Sequence, residues 1–278
     1  MNATEVSIII PSLIPDKHEL TKRALSICLE SLKESTTSKV IVAYNGEGTE
    51  YPQGQCGAVN RAVKETDTKW VIITNNDQVW TSQAMSQLLY AVDNFGLLVA
   101  SPNLVEPQKG APPFIEKYCG GLGTVGTDIN FDKKCFLEFA ENHGIDRTGA
   151  KSMQGRMGIE DGANLPFIVK RELWDLVNGY DTNFDPFSSN SDSDLFYKFL
   201  IAGVVPKRVR GSLVYHFSQT SGTFHPDNRS YWENNRRYFI EKWGFERASS
   251  PECWYKPTIP YNELKYKPSW MGHYGEPK

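Results

Sequence analysis

Apolar and polar positions along this chain switch between a period of two and a period of 3.6, and the switches mark out its elements. Residues 6–12, Val-Ser-Ile-Ile-Ile-Pro-Ser, are a β-branched run stopped by Pro11, which predicts a buried strand opening into a loop. Leu20, Ala24, Leu25, Cys28 and Leu32 then recur at helical spacing behind Asp16 and Glu19, a pair with capping-box spacing. A second strand, Lys39 to Tyr44, ends at Asn45-Gly46, and Ala58, Val59, Ala62 and Val63 mark an amphipathic helix. Trp70-Val-Ile-Ile-Thr74 is a third strand that runs straight into Asn75, Asn76 and Asp77. Strand, helix, strand, helix, strand with right-handed crossovers implies a parallel sheet whose ligands gather at the C-terminal strand ends. Ser12, Asn45 and Asp77 all fall at such ends.

Beyond Asp77, Met85, Leu88, Leu89 and Val92 predict a helix closed by Gly96, and Leu97 to Ser101 a further strand. Periodicity then fails from Val105 to Gly162, a Gly- and Pro-rich stretch broken by one helical pattern over 132–142. An insertion of that length inside a compact domain is functional or mobile. Within it, Gly121-Leu-Gly123-Thr-Val-Gly126 spells a dinucleotide-binding pattern, but no strand leads in and no helix leads out, so it reads as a loop. Order returns with a strand over 164–170 and a short helix from Arg171 to Asn178 capped by Gly179. Leu195, Phe196, Phe199 and Leu200 define a helix ending at Gly203. Ser212 to His216 reads as a strand with a histidine at its end. Ser230 and Glu233 have the spacing of a capping box for a helix through Trp243, stopped by Gly244. The Pro- and aromatic-rich tail over 250–278 has no helical period and is expected to pack on the domain in extended form.

Composition narrows the function classes. The chain has 278 residues, enough for one large α/β domain or two small ones. Its apolar runs are too short for a bilayer, and the residues before Val6 lack the basic and cleavage features of a signal peptide. Five widely spaced cysteines without a Cys-x-x-Cys pair point to a reducing, cytoplasmic setting without structural zinc. A net charge of −3 weighs against a polyanionic partner, so a nucleic-acid partner is possible but not favoured.

Three places carry candidate chemistry. The Asn75-Asn76-Asp77 cluster offers hard oxygen ligands at a buried strand end, suited to a divalent cation, although on its own such a polar cap is ordinary turn chemistry. Asp192 and Asp194 precede an apolar helical stripe, where the helix dipole and free amides are expected to lower carboxylate pKa values; the competing role for Asp192 is a plain helix cap. His216 follows a strand, a position that is structural in most proteins.

Taken in order, Ile8-Ile-Ile-Pro11-Ser12, Asn45-Gly46, Gly57-Ala-Val-Asn60, Asn75-Asn-Asp77, Gly179-Tyr-Asp181, Asp192-Ser-Asp194 and His216 resemble an inverting glycosyltransferase of the GT-A fold, family-2 type. The resemblance runs from residue 6 to about residue 221 and implies one GT-A domain over 1–249 with the long insertion at 105–162. It implies transfer of a sugar, with inversion, from a nucleotide diphosphate donor, UDP-sugar favoured, to a hydroxyl of a glycan or glycoconjugate. By position, Asn75 and Asp77 stand for the family's Asp-x-Asp motif, with Asp77 on Mn2+ or Mg2+ and His216 as a second contact to metal or diphosphate. Asp192 stands for the general base, and Pro11, Ser12, Tyr44, Asn45, Asn60 and Asn76 for the nucleotide pocket. The insertion stands for a lid that orders over bound donor.

The chain departs from the family's pattern at three positions. Asn75 replaces the first Asp of the motif, Tyr44 the Asp that pairs with the base, and Ser191 the acidic neighbour of the catalytic Asp. Other readings are a sugar-phosphate nucleotidyltransferase, which requires a glycine-rich basic loop absent from Ser12 to Lys17, an inactive GT-A binding module, and a glycosyltransferase acting on a hydroxylated nucleic-acid base.

Overall fold

In the computed structural model the alternation of side chains along the strands divides the core into two layers, one on each face of a central sheet. The structure describes residues 5–13, 19–46, 48–49, 54–105, 133–143, 158–217, 228–248 and 254–276. Its strands are β1 (Val6–Leu13), β2 (Lys39–Asn45), β3 (Trp70–Ile73), β4 (Gln78–Val79), β5 (Val99–Val105), β6 (Ile159–Asp161), β7 (Phe167–Lys170) and β8 (Lys207–His216). The helices are α1 (Glu19–Ser35), α2 (Gln55–Lys64), α3 (Ser82–Asn94), α4 (Lys133–His143), α5 (Arg171–Leu176), α6 (Ser191–Ile201) and α7 (Arg229–Trp243).

The fold is mixed α/β with a mostly parallel central sheet. Strand order is β2-β1-β3-β7-β5-β8-β4, with β6 on β8. β2, β1, β3, β5 and β8 run one way; β7 is inserted antiparallel between β3 and β5. In β1, Ile8 and Ile10 face the layer formed by α1 and α3, and Ile9 faces the layer holding α2, α6 and α7. β3 repeats the pattern, with Trp70 and Ile72 on the first side and Val71 and Ile73 on the second. The chain leaves β1 for β2 on one side and returns to β3 on the other. In open α/β sheets such a reversal is where a ligand crevice is expected, here at the C-terminal ends of β1 and β3.

One local expectation changes, and two features are new. Helix α7 is entered through Asn228 with no side-chain cap; Ser230 lies inside the helix, and Glu233 pairs with Arg229 at 2.8 Å instead of closing a capping box. β4 and β6 are too short to show a period and were not visible in the sequence pattern. The N-terminus of α2 is capped from far along the chain, by Asp185, whose oxygens accept from the Cys56 and Gly57 amides at 2.9 and 3.0 Å. Asp16, the 121–126 glycine pattern and most of the expected lid lie outside the described residues.

The tail contributes a 3-10 turn at Tyr261–Glu263 and closes the C-terminus of α6. Gly272 and Tyr274 donate their amides to the Ile201 and Ala202 carbonyls at 2.7 and 2.8 Å, satisfying acceptors that the helix end leaves open. A Cβ on Gly203 (φ +95°) would lie 2.5 Å from the Gly275 carbonyl, so the tail's approach there requires glycine.

Candidate active site

The strand-end cluster forms because β1, β2, β3 and β4 surface together. Ser12 is opposite Tyr44 in the β1–β2 register, and β4 pairs antiparallel with β8 so that Gln78 faces His216. That pairing brings His216 Nε2 to 3.3 Å from Asp77 Oδ1, with the Phe217 amide donating to the Asp77 carbonyl at 2.9 Å. Asn76 donates to Ser12 Oγ at 3.0 Å, and Asn45 donates to the Ser12 carbonyl at 3.1 Å. Asp77, Asn76, Asn45 and Ser12 are buried, while Tyr44 is 41% exposed beside them. A flat, open ring at this edge is free to stack on a planar ligand.

Gln78 shapes the turn, and the sequence pattern offered no signal for it. Its Oε1 accepts from Thr74 Oγ1 at 2.7 Å and from the Asn75 amide at 2.9 Å, and its Nε2 donates to the Leu165 carbonyl at 2.8 Å. The Cys28 thiol donates to the Asn75 carbonyl at 3.6 Å. Burial, and then the nearby charge of Asp77, push that thiol's pKa up, so it stays protonated.

Asp192 sits in a second cluster. Its Oδ1 accepts from the Tyr180 hydroxyl at 2.7 Å, and no hydrogen bond engages its Oδ2 among the described residues. The expected lowering of its pKa is not found. Burial pushes the pKa up, against the Tyr180 hydrogen bond and the charge of Arg247. The side chain faces Tyr180, and α6 is entered through Asn190 in the left-handed region, so Asp192 is not the cap of that helix. A raised pKa makes a carboxylate a stronger base.

Asn60 is engaged by the Tyr180 backbone. Its amide is committed at both ends, donating to the Tyr180 carbonyl at 2.8 Å and accepting from the Tyr180 amide at 2.9 Å. With the Trp174 ring edge-on at 5.5 Å, this fixes the tyrosine that holds Asp192. Cys56 Sγ, 3.3 Å from Ser188 Oγ, completes the surroundings, its own pKa raised by burial and by the charges of Asp185 and Asp192.

Asp194 is wholly buried and spent on structure. It accepts from Trp243 Nε1 at 2.8 Å and lies 2.7 Å from Lys242 Nζ and 3.6 Å from Lys198 Nζ. Lys242 also reaches Asp181 Oδ2 at 2.7 Å. Burial alone would raise the Asp181 pKa, but the hydrogen bond and charge of Lys242, helped by Asn183 and Tyr238, hold it well below the usual carboxylate range.

No protein-family model and no curated protein matches this chain. Among solved structures, GalNAc-T7 with UDP, GalNAc and Mn2+ aligns over 86% of this chain and 48% of its own, at 12% identity and TM-score 0.48. The mannosyltransferase PcManGT from Pyrobaculum calidifontis, with GDP-Man and Mn2+, aligns over 86% of this chain and 66% of its own, at 12% identity and TM-score 0.47. The chain therefore spans about half the length of the first and just under two thirds of the second. At this identity no side chain inherits a role from either, and the chemistry rests on the site itself.

The site's donor set fits a divalent cation. A carboxylate and an imidazole nitrogen 3.3 Å apart suit Mn2+, and the adjoining Asn76 and Ser12 add neutral oxygens. Among the described residues no three His, Cys, Asp or Glu side chains converge, so the protein alone does not supply a full coordination shell.

Proposed function

We propose that this chain is a metal-assisted glycosyltransferase of the GT-A fold, family-2 type, moving a sugar with inversion from a nucleotide diphosphate donor to an acceptor hydroxyl. The observation that carries the reading is the Asp77–His216 pair at the strand ends, 3.3 Å apart and flanked by Ser12, Asn45 and Asn76. An incomplete protein shell suits a cation that shares its ligands with substrate phosphates and water. Such a cation, when bound, offsets the charge that develops on the departing diphosphate.

This chain's residues would divide the remaining work. Asp77 and His216 hold the cation, Ser12, Asn45 and Asn76 contact the nucleotide with Pro11 lining the strand end, and Tyr44 stacks on the base. Stacking reads any base, which leaves UDP as the favoured donor on resemblance alone. Asp192 takes the proton of the incoming hydroxyl on Oδ2, while Tyr180 keeps Oδ1 occupied and the carboxylate oriented. Its raised pKa suits that task.

The test is calorimetric binding of UDP, GDP and their sugars with and without Mn2+. Asp77→Ala is expected to abolish metal-dependent binding, and Asn75→Asp to preserve or strengthen it. Wild-type affinity of Asp77→Ala for UDP and GDP in manganese would overturn the reading. Donor binding without transfer to any hydroxyl would identify an inactive binding module.

A further inference from the structure

A cleft of about 750 Å³ lies between α7, the loop before α6 and the tail, with Asn60 of α2 in its lining. That volume is in the range of small-ligand sites. It shares no residue with the cluster of Ser12, Asn45, Asn76, Asp77 and His216. Aromatic residues of the tail form one of its walls. Tyr266 and Trp270 lie 6.3 Å apart at 65°, and Tyr238 from α7 completes the aromatic lining.

The groups at the cleft differ in how far they are already committed. Asp181, Lys198 and Lys242 are tied to one another and to Asp194. By contrast, Lys265 Nζ, the Glu241 carboxylate, the Tyr266 hydroxyl and Trp270 Nε1 make no hydrogen bond or ion pair among the described residues. Half-buried rings beside uncommitted donors and acceptors of both signs match one ligand class best. A pyranose presents a C–H face that packs on an aromatic ring and a rim of hydroxyls that both donate and accept. A phosphate-bearing ligand would suit Lys265 and Lys267 but would face Glu241.

We propose that this cleft is a saccharide-binding site built by the tail and α7, with Trp270 as its platform, Tyr266, whose ring already takes Lys242 Nζ at 4.8 Å, as a side wall, and Glu241 and Lys265 as its hydroxyl contacts. Tyr180 and Asp181 are consecutive, and both line the cleft, while the Tyr180 hydroxyl holds Asp192. Resting on the reading of Asp192 as general base, the saccharide held here is the acceptor chain, gripped at units remote from the reacting hydroxyl.

The test uses the full chain, 15N-labelled, with the Trp270 indole signal identified by its loss in Trp270→Phe. Neutral and uronate-containing oligosaccharides are titrated in, with nucleoside diphosphates alongside. Saturable movement of the Trp270 signal by an oligosaccharide is expected, and Trp270→Ala should weaken binding by about fivefold to tenfold, the worth of one aromatic face. Glu241→Gln and Lys265→Ala, both at exposed positions, carry the same test should Trp270→Ala fail to fold. No response to any saccharide, a response to nucleotides alone, or unchanged affinity in Glu241→Gln and Lys265→Ala overturns the proposal. Asp192→Asn separates the two readings, because it should leave saccharide affinity unchanged whether or not it stops transfer.

Discussion

Asp192 and Asp194 stand two residues apart in the first turn of one helix, yet the regions around them treat a carboxylate in opposite ways. Asp194 points into the α7 side of the core, where Lys242, Lys198 and the Trp243 indole neutralise and hydrogen-bond it. Asp192 points toward Tyr180 and meets one neutral hydroxyl, with Arg247 the cation acting on it from a distance. Surrounded by matching charge, the first acid holds the fold together. The second keeps a raised pKa and an oxygen available for chemistry. Acidity in a motif therefore does not mark a site; the degree to which the fold has already compensated the charge does.

The sharpest way to break this contrast is to make the same substitution at both positions. Asp194→Asn leaves buried Lys198 without its ion-pair partner and Lys242 with Asp181 alone, and is expected to cost about 3–5 kcal/mol, read as a lowered urea midpoint. Asp192→Asn should leave stability within about 1 kcal/mol of wild type, since it removes a carboxylate whose burial is itself unfavourable. Equal destabilisation by the two would show that Asp192 is also a structural acid.

On the side of activity the order reverses. Asp192→Asn is expected to leave donor affinity unchanged while transfer, followed by mass spectrometry over an acceptor library, falls by about 10²–10⁴-fold. Transfer at the wild-type rate would move the base elsewhere.

The smallest effect sharpens the role of Tyr180. Its hydroxyl stabilises the ionised form of Asp192, so Tyr180→Phe removes an influence that lowers the pKa, and the pKa rises further. A base works only when unprotonated, so the acid limb of the transfer profile should shift to higher pH, with little loss on the alkaline side. An unchanged acid limb would assign Tyr180 to packing alone.

Most of the sheet is legible in the sequence, because buried parallel strands are continuous apolar runs and their helices carry one apolar stripe. The residues of β1 and β3 alternate between the two core layers, as a pleated strand between two layers of helices must. Ser12, Asn45 and Asp77 were placed at strand ends for the same reason, since a buried run has to end where the chain meets water. β4 escaped notice because two residues carry no period, and with it went the physical reason for placing His216 beside Asp77.

Sequence alone determined the order of elements, the polar strand ends and the presence of two acids at the start of α6, because these depend on local spacing and on which side chains tolerate burial. Only the tertiary structure decided which acid is compensated, that Asn60 braces Tyr180, that Asp185 caps α2, and that the tail's rings wall a cleft. Each of these depends on groups that meet across long stretches of chain. No local period reports such a contact, and its energy exists only once packing has removed water from both partners.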